Sequence, residues 1–218
     1  MVQNSFLMHA FKTFFFILIL CGCSKNPDAP FLDAIANVKA GRTASIDIRQ
    51  TPLSSDQLLE KLAGLEPLRS LNLDRSPVTN DGLAKIGTLV DLQELPLSQT
   101  RITDEGLSII VKNFPGLTGL ILNRTMITDN GIKALVKLDR LEHLSLYQVA
   151  VTDAACKMLA KLPNLQTISL DQSMITDAGL DAIGAAPNLK RVSVWQCQVS
   201  DKKAEGFQKR YPNVILNR

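Results

Sequence analysis

The chain has 218 residues, 45% of them hydrophobic and 21% charged, with a formal net charge of +3. That length suits one domain with a substantial core, and the near balance of charge predicts neither nucleic acid nor an acidic surface as a partner. No basic cluster stands out along the chain, and four cysteines and two histidines offer little material for a metal or disulfide framework.

The N-terminus reads as an export signal. His9 and Lys12 precede an apolar run of eight residues, Thr13 to Leu20, and small residues follow it. A helical membrane span needs about 20 apolar residues, so this run is too short to be one. The stretch Leu20-Cys21-Gly22-Cys23 resembles the lipobox of bacterial lipoproteins. That resemblance implies cleavage after residue 22, Cys23 as the first mature residue, and acyl chains such as palmitate on it. Its implied location is outside the cytoplasm, anchored in a membrane by the two or more chains that stable attachment needs. Ser24 after the lipidated cysteine implies the outer membrane of a two-membrane bacterium. A plain secretory signal and an uncleaved anchor are the alternatives. Residues 23–30, polar and containing Pro27 and Pro30, read as a linker. Phe31-Leu32 and Ile35 to Val38 are expected to form a short helical or irregular N-terminal cap over residues 31–43.

From residue 44 to 218 the chain repeats itself. Six units open at Leu68, Leu92, Leu117, Leu141, Leu165 and Leu189, 24 or 25 residues apart, each with an apolar-x-x-apolar-x-apolar pattern. An imperfect unit precedes them near Ser45-Ile46-Asp47-Ile48, and a stub follows at Val214 to Asn217, giving about seven repeats. The second half of each unit recurs as Ile102-Thr103-Asp104-Glu105-Gly106-Leu107, Ile127 to Ile132 and Ile175 to Leu180, with variants at Val78 and Val151. These motifs resemble the leucine-rich repeat family, in particular the ITDxGL type of cysteine-containing repeats.

The pattern has its own physical reading. Alternating apolar residues face one side of a short strand, and Thr-Asp then supplies an N-cap oxygen for a helix expected to begin at the Gly-Leu pair. Pro115, Pro163, Pro187 and Pro212 stop the helices shortly before the next strand. One unit cannot bury its apolar face alone, so the units stack. The expected fold is an α/β leucine-rich repeat solenoid: a right-handed curved horseshoe with parallel strands on the concave face and helices on the convex face. Pro96 lies inside a strand and predicts a local gap in the hydrogen-bond ladder. Thr51 to Asp56 form the loosest unit.

Little in the repeats suggests catalysis. His143 has no nucleophile–base–orienter set around it. Cys156 takes the helix position of Leu107, Ile132 and Leu180 and reads as core, while Cys197 takes the structural slot of Thr100, Thr125 and Ser173. The recurring Asp104, Asp129, Asp153, Asp177 and Asp201 could suggest calcium, but their place at helix starts favours capping. The chain is expected to be a monomer that is not an enzyme and needs no cofactor.

The concave face is where specificity is free to vary. The residue after each second apolar strand position runs Asp74, Ser98, Asn123, Tyr147, Asp171, Trp195, and beside it Arg75, Gln99, Arg124, Gln148, Gln172, Gln196. Asp74, Asn123, Arg124, His143, Tyr147, Asp171, Arg191 and Trp195 are the expected contact residues for a protein partner, since exposed Trp, Tyr and Arg dominate interface energetics. Trp195 has a second reading, as a shield over the C-terminal end of the core. The expected function is a non-catalytic interaction module or scaffold on a lipid tether at the cell envelope. A structural envelope component, a glycan-binding repeat protein and an F-box-type substrate adaptor are the competing readings. The export signal disfavours the last.

Overall fold

The structure, a computed structural model, describes residues 26–49, 53 and 55–218. The proposed signal, Cys23, and Thr51, Pro52 and Ser54 of the loosest unit lie outside the described residues. A helix α1 (Ala29–Lys39) comes first, with Pro30 in its first turn, so regular structure begins inside the segment expected to be linker. Phe31, Ala34, Ile35 and Val38 cover the first rung of the core.

Eight three-residue strands follow: β1 (Ser45–Asp47), β2 (Ser70–Asn72), β3 (Glu94–Pro96), β4 (Gly119–Ile121), β5 (His143–Ser145), β6 (Thr167–Ser169), β7 (Arg191–Ser193) and β8 (Ile215–Asn217). They pair in sequence order as one parallel sheet. A 3₁₀ helix, Asp56–Leu62, follows β1, in the loosest unit. The later strands are followed by α2 (Asn80–Ile86), α3 (Asp104–Asn113), α4 (Asp129–Leu135), α5 (Asp153–Leu159), α6 (Asp177–Ile183) and α7 (Asp201–Arg210). The central strand positions Ile46, Leu71, Leu95, Leu120, Leu144, Ile168 and Val192 are all at most 1% exposed. The register pairs Leu95 with Leu120 and Leu120 with Leu144 on adjacent rungs. Strands sit about 4.8 Å apart and packed helices about 8–10 Å apart, so a stack of such units must curve with its strands inside. The fold is the leucine-rich repeat solenoid.

Two local departures have clear causes. Strands β2 and β3 share a single register pair, Ser70 with Glu94, where every other pair of neighbours shares three. Pro96 has no N–H to donate, and the ladder resumes when Leu73 N–H donates to the Pro96 carbonyl at 2.9 Å. The helices begin at the Asp of each motif, two residues before the expected Gly-Leu pair, with Thr or Ser at the N-cap in α3 to α7. They end at or before Asn113, Leu159, Ile183 and Arg210, two to four residues ahead of the prolines.

The aspartates do not cap their own helices; they brace the following unit. Asp104 accepts from the Thr128 N–H at 2.8 Å and from its hydroxyl at 2.7 Å. Asp129 takes the same two bonds from Thr152, Asp153 from Thr176, and Asp177 from Ser200. The Thr128, Thr152 and Thr176 oxygens then accept from the N–H two residues on, which closes the cap. This brace also explains the recurring glycine. A Cβ at Gly131 would lie 2.4 Å from Asp104 Oδ1, and one at Gly179 would lie 2.2 Å from Asp153 Oδ1. Replacing Asp153 by Ala leaves the Thr176 N–H and hydroxyl without their acceptor and should cost about 1–2 kcal/mol, read as a lower urea midpoint with an unchanged m-value. Amide exchange at Leu71 and Asn72, beside the Pro96 gap, should be faster than at Leu120 and Ile121 by at least about tenfold.

Candidate interaction surface

Three columns of side chains line the inner wall of the sheet, because alternate strand residues point away from the leucine core. The first column runs Ser70, Glu94, Gly119, His143, Thr167, Arg191 and ends at Ile215 in β8. The middle column is Asn72, Pro96, Ile121, Ser145, Ser169 and Ser193, of which the sequence reading singled out only Pro96. It forms the floor, with Ser145, Ser169 and Ser193 only 1–5% exposed. The third column runs from Asp74 to Trp195.

The structure divides the eight expected contact residues into two groups. Asp74, Asn123 and Asp171 are engaged inside the sheet. Asp74 Oδ1 accepts from the Ser98 N–H at 2.6 Å. Asn123 Oδ1 accepts from the Tyr147 N–H at 2.9 Å and the Ser145 hydroxyl at 2.7 Å. Asp171 Oδ1 accepts from the Trp195 N–H at 2.7 Å and the Ser193 hydroxyl at 2.5 Å, and its Oδ2 takes the Ser169 hydroxyl. In every second unit, then, an Asx side chain ties its rung to the next. Burial pushes the Asp74 carboxyl above its ordinary value, against the two bonds from Ser98.

The other five project from the wall. Arg124 lies 5.2 Å over the Tyr147 ring and donates to its hydroxyl at 3.4 Å and to Gln148 Oε1 at 2.7 Å. Trp195 is 36% exposed, two rungs or about 10 Å beyond Tyr147, with Asp171 between them. It does not shield the end of the core, which β8 and the buried Phe207 and Val214 close. Arg191 is half-buried at the start of β7, in the same column as His143.

Arg75, Gln99, Arg124, Gln148, Gln172 and Gln196 all have φ between 54° and 57°. The left-handed conformation turns the chain out of each strand, while the N–H groups of Arg75, Gln99, Arg124, Gln148 and Gln172 still donate to the next rung. That row is fixed in backbone as well as in place, which presents its long side chains as a rigid rim. Gln172 Nε2 donates to Gln196 Oε1 along it.

His143 Nδ1 is the only buried side-chain nitrogen or oxygen without a hydrogen-bond partner among the described residues. Burial is the first cause that holds its imidazole below the ordinary value, with Arg191 and Lys190 adding to the effect and Glu142 opposing it. Glu94, two rungs away in the column, is raised by its burial. Cys156 is fully buried with its thiol pushed up to about 12, and Cys197 Sγ donates to the Leu170 carbonyl at 3.1 Å, so both thiols serve packing. Among the described residues, no group of three or more His, Cys, Asp or Glu is placed to hold a metal ion.

Folding also assembles a feature that sequence reading denied. Lys112, Lys133, Lys137, Lys157 and Lys161, spread over fifty positions of the chain, lie on the convex side, on α3, α4 and α5 or in the turns just after α4 and α5, and are exposed. The signal lay in the repeat phase: aligned by their Thr-Asp motifs, Lys133 and Lys157 share one position, and Lys112, Lys137 and Lys161 share another.

The chain is similar in structure to internalin C2 from Listeria monocytogenes, with a TM-score of 0.62 at 23% identity over 84% of this chain and 83% of that one. It is also similar to a leucine-rich repeat protein from Leptospira interrogans, with a TM-score of 0.52 at 23% identity over 73% of this chain and 45% of the other. No protein-family model and no curated protein matches the sequence. These likenesses establish the solenoid fold.

A folded-state imidazole below the unfolded value of about 6.5 stays neutral while the unfolded chain takes up a proton. Its contribution to stability is therefore complete above pH 6.5 and declines as pH falls from there through the folded-state value. Thermal melts of wild type and His143→Gln between neutral and mildly acid pH should diverge, with wild type losing more of its Tm than the variant.

Proposed function

We propose that the protein is a non-catalytic interaction module, lipid-tethered at the cell envelope through Cys23, that grips a protein partner with its concave face. The observation that carries this reading is an aromatic pair, Tyr147 and the exposed Trp195, held on a rigid sheet with Arg124 stacked against the first ring. Both rings stand in the turn that leaves a strand, beside a residue of fixed left-handed conformation, and Arg, Tyr and Trp are the side chains that anchor interfaces. Asp74, Asn123 and Asp171 shape the surface by holding the rungs in register, and the contact residues proper are Arg124, His143, Tyr147, Arg191 and Trp195.

Tethering is supported by the lipobox resemblance of residues 20–23. Among the described residues no helix is long and apolar enough to cross a membrane. Mass spectrometry of the mature N-terminus should find acylated Cys23, and Cys23→Ser should release the protein from the membrane fraction. An unmodified Cys23 in a mature chain ends the tether.

The partner-binding surface has its own test. In intact-cell crosslinking, Tyr147→Ala with Trp195→Ala should abolish the selective crosslinks of the wild type while leaving the thermal melt within a few degrees. Unchanged crosslinks in the double variant rule out this surface. Pelleting with peptidoglycan, also lost in the double variant, would assign the face to glycan binding.

A further inference from the structure

We infer that the lysines on the convex side of α3, α4 and α5 form a docking face for an anionic lipid surface, which lays the solenoid down with its concave side turned away from the membrane. Within α4 and α5 the inward stripe is Gly131, Ile132 and Leu135, and Ala155, Cys156 and Leu159. At 100° per residue, Lys133 and Lys157 point nearly opposite that stripe, and Lys137 and Lys161 are exposed in the turns two residues past the ends of the same helices. Lys112 takes the same repeat position on α3. All five are exposed.

None of the five takes part in an ion pair among the described residues, where the bridges are Arg49–Asp47, Arg69–Asp91, Lys203–Asp181 and Arg218–Asp201. Lys133 donates to the neutral Asn130 at 2.8 Å. Of the carboxylates on these helices, Asp104, Asp129 and Asp153 are held by Thr128, Thr152 and Thr176, and Glu105 accepts from Asn80. Gathering like charges without carboxylate partners returns no ion-pair stability to the fold.

The distribution points to a flat partner. The lysine positions hold Ala84 and Thr88 in the unit before, Ser108 on α3 itself, and Asp181 and Ala185 in the unit after. The five lysines thus lie on the three adjacent units that follow β3, β4 and β5, near the middle of eight rungs, while Lys209 on α7 repeats the second position apart from them, beyond a unit that holds Asp181 and Ala185. A convex arc touches a plane at its crown, and that is where these lysines stand. They are compact point charges without the bidentate fork that reads individual phosphates, and the two lysine rows contain no aromatic residue on which bases could stack. A layer of anionic headgroups matches both properties. The choice of lipid over another polyanion rests on the tether proposed above.

The test uses the full chain reconstituted into phosphatidylcholine vesicles with or without phosphatidylglycerol, and a membrane-impermeant amine reagent read out by mass spectrometry. Labelling at the five lysines should fall by at least about fivefold when phosphatidylglycerol is present and recover near 1 M salt. Lys39 and Lys190 should react equally in both vesicles. Replacing all five lysines by Gln should leave the thermal melt unchanged or raised, and should move the Trp195 side of the molecule nearer the bilayer, read as stronger quenching by brominated lipid. Equal labelling in the two vesicles overturns the inference, as does protection spread evenly over all lysines or given by a DNA duplex and not by phosphatidylglycerol. A chain that leaves pure phosphatidylcholine vesicles but is protected on the anionic ones refutes the tether and keeps the lysine face.

Discussion

Asp104 reaches across to Thr128, and that reach sets the spacing of everything else. The carboxylate takes both the N–H and the hydroxyl of the next unit's N-cap threonine, and the same double bond of contact recurs at Asp129, Asp153 and Asp177. It needs the two units in one phase and one separation, because a shift of a single residue removes both acceptors. The core leucines alone would tolerate some sliding, since apolar burial has no direction. Hydrogen bonds to a charged acceptor do not. Units are therefore locked to their neighbours on the helix side by these carboxylates, with the Asn80 amide in that role toward Thr103, and on the strand side by the ladder and, in every second unit, by Asp74, Asn123 or Asp171.

The hydrophobic skeleton was legible in the sequence because it is strictly periodic. Leu71, Leu95, Leu120 and Leu144 stack as their spacing requires, and the Pro96 gap follows from the chemistry of one residue. What escaped was everything that depends on two units at once. A reading one unit at a time makes Asp104 a cap of its own helix; only the neighbouring unit shows that its oxygens belong to Thr128. Asp74, Asn123 and Asp171 look free for the same reason, since their acceptors are occupied by N–H groups 24 residues away. The lysine face is invisible along the chain because its members are separated by whole turns of the solenoid.

The two faces follow from one geometry. On the inner wall, side chains stand on strands about 4.8 Å apart and are crowded enough to be fixed: Ser145, Ser169 and Ser193 form a closed floor, and Arg124 stacks on Tyr147. On the outer wall the wider spacing of the helices leaves long side chains separate and solvated. A crowded rigid wall suits recognition by shape, and a spaced flexible one suits a diffuse field of charge. One solenoid can thus present two surfaces of different character to two partners at once.

The unit from Leu141 to Pro163 departs from the repeat at three positions. Val149 replaces the hydroxyl that Ser76, Thr100, Thr125 and Ser173 donate to a carbonyl three residues back. Ala155 replaces the glycine beneath the bracing carboxylate, yet Asp129 keeps both its bonds to Thr152. Cys156 replaces a larger aliphatic residue in the core. The same unit carries His143 and Tyr147 on the inner wall and Lys157 and Lys161 on the outer. Natural chains tend to relax their local rules where function is carried, provided neighbouring units supply the lost stability. Here the braces on both sides, Asp129 to Thr152 and Asp153 to Thr176, hold the atypical unit in the phase of the typical ones, which is the condition for its two outward-facing surfaces to exist.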